Sequence, residues 1–446
     1  MKKHLFFREV CNIAIPVTLQ SMLQSSFSMV DQIMIGQLGS VSIAGIGLAG
    51  KFSSIFSVLI AAVGAVAGIM IAQYLGKKDE KEVSRSFYLN LAVALGFAVF
   101  FTFLCVISPG GIMSIYTKEN ATGNMAARYL RMIAATYLPM AGATLLSTML
   151  RCVGKALLPL YATIVAILLN TGLNYILIFG KFGFPVMGVD GAAIATVISQ
   201  LANFLLILIL FCRYTKKEKK SLYHSIRKQR FNMSQYLSML LPILVTELFW
   251  SIGENVYAAI YGRMGTKDCA AMTLTNPIQG LLIGALSGLA QAASIIIGKS
   301  LGKKQYEQAY KEAKQLLWYG FAGSVTLSLA LVFLSKIYVG IYQVEDSVKM
   351  VGWQLLIAFA IISPVKVQNM ILGGGVLRSG GKTKYVMFID LIGTWIFGVP
   401  LGLLSAFIWN LSIPYVYFIL SLEECVRFGI GLIIFKRRKW IQSLES

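Results

Sequence analysis

The chain has 446 residues, of which 13% are charged and 57% apolar, with a mean hydropathy of +0.71. That is too little charge to cover the surface of a water-soluble protein. The formal charge of +21, from 40 Lys and Arg against 19 Asp and Glu, raises nucleic-acid binding as an option. The basic residues, however, sit in short breaks between long apolar runs, a distribution that belongs to a membrane protein and excludes that partner class.

A transmembrane helix needs about 20 apolar residues, whereas barrel strands would show alternation over about 10. The helical pattern recurs at 10–35, 44–74, 86–108, 127–150, 156–179, 190–212, 236–262, 269–300, 314–335, 351–376, 383–408 and 412–435. The prediction is an all-α polytopic membrane protein with twelve transmembrane helices. The basic start, Met1 to Arg8, runs into a full-length apolar segment rather than a short one with a cleavage site, so it is expected to stay as part of the first span. Assigning the loops alternately to two sides puts 29 Lys and Arg on one and 8 on the other. Both termini are therefore expected in the cytoplasm, with the chain in the plasma (inner) membrane of a prokaryote.

Cys11, Cys105, Cys152, Cys212, Cys269 and Cys425 are scattered without metal or redox spacing, and two histidines add no cluster. Free thiols, no metal and no cofactor follow. The chain has no HExxH, serine-nucleophile motif or P-loop, which argues against an enzyme.

The sequence also repeats itself. Pro16 and Pro242, Gly36 and Gly262, Gly39 and Gly265, Ala44 and Ala270, and Leu75-Gly-Lys-Lys78 and Leu301-Gly-Lys-Lys304 are all 226 residues apart. Leu150 to Lys155 matches Leu377 to Lys382 at 227. This is the signature of two copies of one unit. Six crossings per copy make the repeats parallel, and transporters place their substrate between repeats near the midplane. The expected organisation is a six-helix bundle at 1–212, a basic cytoplasmic linker at 213–235 and a second bundle at 236–446.

Met29-Val-Asp-Gln-Ile-Met-Ile-Gly36 with Gly39 and Ala44, Leu75-Gly-Lys-Lys78, and Gly375-Val-Leu-Arg-Ser-Gly-Gly-Lys-Thr383 resemble the multidrug and toxic compound extrusion (MATE) family, in order and in both halves. The resemblance implies two bundles that alternate access and export organic cations or amphiphilic compounds in exchange for H⁺ or Na⁺. A relative in the same superfamily, the exporter or flippase of lipid-linked and polysaccharide precursors, is the alternative. The loop Gly76-Lys-Lys-Asp-Glu-Lys-Glu82 lacks the Gly-x-x-x-Asp-Arg-x-Gly pattern of major facilitators.

An ionisable group inside a span costs about 2.5–3.5 kcal/mol at the helix centre, so each is a candidate site. Asp31 occupies the position at which the resembling motif carries a cation-linked acid. Glu247 and Glu254 are seven residues apart and share a face of span seven, about 10 Å from one another along the helix. With Asp390 on span eleven they complete the candidate cation-coupling set. Lys366, two residues after Pro364 on span ten, is expected to pair with a carboxylate, with Glu247 as the candidate. Some members of the resembling family carry an acid on span ten; none lies between Gly352 and Val376, which leaves H⁺ and Na⁺ both open. The offset of 226 sets Asp31 against Tyr257 and Glu247 against Ser21, so the repeat keeps its glycines but not its acids. Candidate substrate contacts are Gln24, Phe249, Trp250, Tyr257, Asn276, Gln279 and Asn369, whose amide and aromatic groups suit organic cations. Expected partners are small organic molecules and the bilayer, with the monomer as the working unit.

Overall fold

The computed structural model describes residues 2–38, 40–217, 232–342 and 345–444. Gly39 and the centre of the expected linker, 218–231, lie outside them. Among the described residues ten helices are long and apolar enough to cross a membrane. Spans two to eleven are Val41–Lys77, Glu80–Ile107, Asn120–Cys152, Leu157–Phe179, Gly188–Lys216, Met233–Met264 (span seven), Ala270–Gly302, Tyr306–Gly340, Asp346–Leu377 and Thr383–Ile408. Lys2–Gly36 is span one, and Ile413–Ser421 with Glu423–Lys436 is span twelve. The protein is an all-α, twelve-span chain, and every expected span is found.

Two spans are capped by the polar residue that precedes them. The Asp79 carboxylate accepts from the Glu82 amide at 3.1 Å and the Asn232 side chain from the Gln235 amide at 3.1 Å, each satisfying an otherwise orphaned first-turn donor. Two features depart from the expectation. A short helix, Pro109–Tyr116, stands between spans three and four. Spans ten and eleven are wound as π-helix over Met370–Leu377, Ile392–Gly398 and Leu404–Ile408. Such wider turns are rare and gather at functional sites.

The chain forms two compact units, one of residues 22–71 with 79–229, the other of residues 1–21 and 72–78 with 230–446. Within the second unit the duplicated Leu-Gly-Lys-Lys turns meet each other. A Cβ on Gly76 would collide with the Lys299 carbonyl, and one on Gly302 with that of Gln73. Residues 73 and 299 are themselves repeat mates, so the contact is reciprocal. Glycine is needed at both positions because the partner helix's backbone occupies the space. Lys78 and Lys304 both turn out of their helices with φ near 60°, the same bend made twice.

The end of the chain packs against this crossing. Trp440 is fully buried and stacks on Phe435 at 5.7 Å. The buried Gln73 side chain donates to the Ser379 carbonyl at 2.6 Å and accepts from the Leu444 amide at 2.7 Å, while Lys77 donates to the Leu444 carbonyl.

Candidate functional site

In the first-described unit, Asp31 is half-buried on span one and is held by neutral groups. Asn174 Nδ2 donates to Asp31 Oδ1 at 2.9 Å. A carboxylate only accepts, so the Asn170 amide, one turn earlier, turns its nitrogen toward Asp31, 3.1 Å from both oxygens, and its own oxygen accepts from Ser199 Oγ at 3.2 Å. The two asparagines share a face of span five because they are four residues apart. Tyr129, hydrogen-bonded to Thr196, is close enough to feel the charge. Among the described residues nothing donates to the buried Asn174 Oδ1, which leaves an oxygen free beside a carboxylate.

The other unit holds its charges as an ionic network on spans seven, ten, eleven and twelve. Its centre is span twelve, where Glu423, Glu424 and Arg427 are 5–7% exposed. Arg427 lies 3.3 Å from Glu423 and 3.9 Å from Asp390, and donates to Thr394. Tyr257 Oη donates to Glu423 Oε2 at 2.7 Å. Gly398, in the π-wound part of span eleven, leaves room for that bond, since a Cβ there would strike both oxygens. Glu424 lies 3.9 Å from Lys366, and its carboxylate and carbonyl accept from Asn369 Nδ2 at 2.8 and 2.7 Å. Tyr417 Oη donates to Gln279 Oε1 at 3.0 Å. Glu254 is exposed, yet close enough for its charge to act on Lys366 and Tyr417. Lys366 and Arg427 thus stand among Asp390, Glu423 and Glu424, with the exposed Glu254 at the edge, and within the network carboxylates outnumber cations by one. Buried charges persist only when paired, so a surplus of this kind calls for further cations.

Residues 16–176 and 242–404, one stretch in each repeat, match the MatE family signature. The chain belongs to the MatE family. It is therefore a multi-pass membrane transporter and not an enzyme. Among its relatives, the Bacillus subtilis transporter YisQ is 22% identical over 440 residues, covering 96% of this chain and 93% of its own. The Bacillus anthracis protein called probable multidrug resistance protein NorM is 26% identical over 408 residues, covering 88% and 86%. The fold is that of the Vibrio cholerae MATE transporter VcmN, with a TM-score of 0.87 at 17% identity over 97% of each chain.

The MatE fold sorts the residues singled out from sequence. Tyr257, Asp390, Lys366 and Asn369 come together in the network, with Glu254 and Gln279 at its edge. Phe249 and Trp250 line a cleft with Asp390, Thr394 and Trp395, and the Phe249 ring meets that of Trp395 edge-on at 5.9 Å. Gln24 and Asn276 are exposed and bond into neither cluster. The expected Glu247–Lys366 pair does not form. Glu247 instead lies 3.4 Å from Arg378, and Lys366 takes Glu424. Position along the helix explains the exchange: twelve residues, eight of them π-wound, separate Lys366 from Arg378 on span ten, so the two cations lie at different depths and only Lys366 reaches Glu424.

Glu423, Glu424, Arg427, Asn170, Asn174 and Trp395 were missed from sequence. Three charges within five residues of the apolar segment 412–435 are the same signal that marked Asp31 and Asp390, and Asn170 and Asn174 repeat at helical spacing in span five.

Proposed function

We propose that this MatE-family transporter is an efflux antiporter that exports organic cations or cationic amphiphiles in exchange for H⁺ or Na⁺. It works by alternating access as a monomer in the inner membrane of a prokaryote, with both termini cytoplasmic. The excess of carboxylates over cations around Lys366 and Arg427 carries the reading. Inside a low-dielectric span that surplus is balanced either by small ions or by a cationic substrate, and a site that takes one or the other is the elementary unit of exchange.

Asp390 is packed beside Phe249, Trp250 and Trp395 in a crevice too narrow for a water molecule, so its counter-charge and their aromatic faces become available to an organic cation only when alternating access opens that crevice. Asp31 in its amide cage is the second ion site. The donor-free Asn174 oxygen beside it supports Na⁺ as a ligand there, because sodium is bound by oxygen ligands of this kind. Relatives called multidrug resistance proteins support the substrate class.

Proteoliposomes loaded with a fluorescent organic cation, given a proton or a sodium gradient separately, test this. One gradient should drive efflux, and Asp31→Asn and Glu424→Gln should each abolish the drive. Failure of both gradients on the wild-type protein would instead favour the exporter of lipid-linked precursors.

A further inference from the structure

A groove of about 280 Å³ opens between spans nine, ten and twelve. Trp318, Phe321, Pro364, Phe428 and Leu432 wall it, and Lys314 closes one end. Trp318 and Phe321 are 65% and 46% exposed, and on a membrane span such a surface meets acyl chains rather than water. Trp318 lies one turn beyond Lys314, the order of an aromatic belt residue next to a headgroup-level cation.

The charge at the Lys314 end is mostly basic. Lys314 Nζ lies 4.8 Å over the Tyr310 ring and the Arg438 guanidinium 4.4 Å over the same ring. Lys311, Lys436, Arg437 and Lys439 are exposed on the same helix ends. Arg438 is paired with Glu307, whereas no carboxylate among the described residues pairs with Lys314.

We propose that this groove holds an acyl chain of an anionic glycerophospholipid whose phosphate sits against Lys314 and its basic neighbours. Charge complementarity selects the headgroup, and the apolar walls take the chain. The site also bears on span ten. Pro364 and Gln368 are four residues apart on the groove face, and Gln368 Nε2 donates to the Leu317 carbonyl at 3.0 Å, bracing the wall. Lys366 is about 200° around the helix from Pro364, on the side that meets Glu424. A bound chain therefore supports the back of the proline-containing segment that presents Lys366 to the ionic network.

The test is native mass spectrometry of the full-length protein in mixed micelles, with phosphatidylglycerol and phosphatidylcholine of identical chains. The wild type should retain phosphatidylglycerol preferentially. Lys314→Gln should weaken it about fivefold, the equivalent of about 1 kcal/mol for one basic residue at the surface, and leave phosphatidylcholine unchanged. Lys314→Arg should keep the preference. Leu432→Trp, which fills the groove, should weaken both lipids. Equal retention of the two lipids by the wild type, or a preference unmoved by Lys314→Gln, would overturn the proposal. Loss with Lys314→Gln but none with Leu432→Trp would equally overturn it, by placing the lipid on the basic surface rather than in the groove.

Discussion

Asp31 and Tyr257 are repeat mates, 226 residues apart, and they show two ways of keeping a negative charge inside a membrane. Around Asp31 the charge belongs to the repeat position itself and is held by amides, with no cation paired to it among the described residues. Around Tyr257 the charge has moved to span twelve: the tyrosine donates to Glu423, and arginine and lysine balance part of the local surplus. A neutral cage can lose its charge at small structural cost. An ionic network cannot, because each member is compensated by the others.

The largest expected effect follows from that difference. Arg427→Gln leaves Asp390 and Glu423 without their shared cation, and breaking a buried pair from one side costs about 3–5 kcal/mol. Thermal unfolding of the purified protein in detergent should show a steep loss. If it unfolds like the wild type, the network does not hold this unit together.

Tyr257→Phe removes one donor to a buried carboxylate, worth about 1.5–3 kcal/mol, and should lower unfolding stability by less than Arg427→Gln. It should also change the pH profile of efflux, which an unrelated packing defect would leave in place. In the other unit, Asn174→Ala should cost only about 1 kcal/mol, the typical value of one hydrogen bond, while weakening the ion dependence of transport. Asp31→Asn is the smallest in stability, within about 1 kcal/mol, since an amide replaces a carboxylate of the same shape in a cage of amides. It should nevertheless abolish ion-driven efflux. A large loss of stability in Asp31→Asn would show that the cage is structural, and the contrast between the two units would fall.

How much of this the sequence reveals depends on the kind of signal. Spans are set by hydropathy over about 20 residues, a local property, and all twelve were legible. So was the repeat, although the reason for its glycines was not. Gly76 and Gly302 are small because each lies against the backbone of the other's helix, a contact across more than two hundred residues of sequence. The candidate acids were legible one by one, as costly residues in apolar segments. Their partners were not, because pairing depends on depth and rotation of helices against one another. Glu247 and Lys366 have suitable charges, but Lys366 lies deep on span ten beside Glu424, while Arg378, at the end of the same span, reaches Glu247. The Glu423, Glu424 and Arg427 set could have been read, since the same cost applies to it.

The central claim is that small ions and organic substrate balance the same carboxylates in turn. The direct measurement is cation release on substrate binding: an organic cation titrated into purified protein in weakly buffered solution, with pH and sodium electrodes recording what leaves. Release of protons or of sodium ions in proportion to substrate bound, reduced in Glu424→Gln and in Asp390→Asn, is the predicted result. Substrate binding that releases neither ion would contradict it.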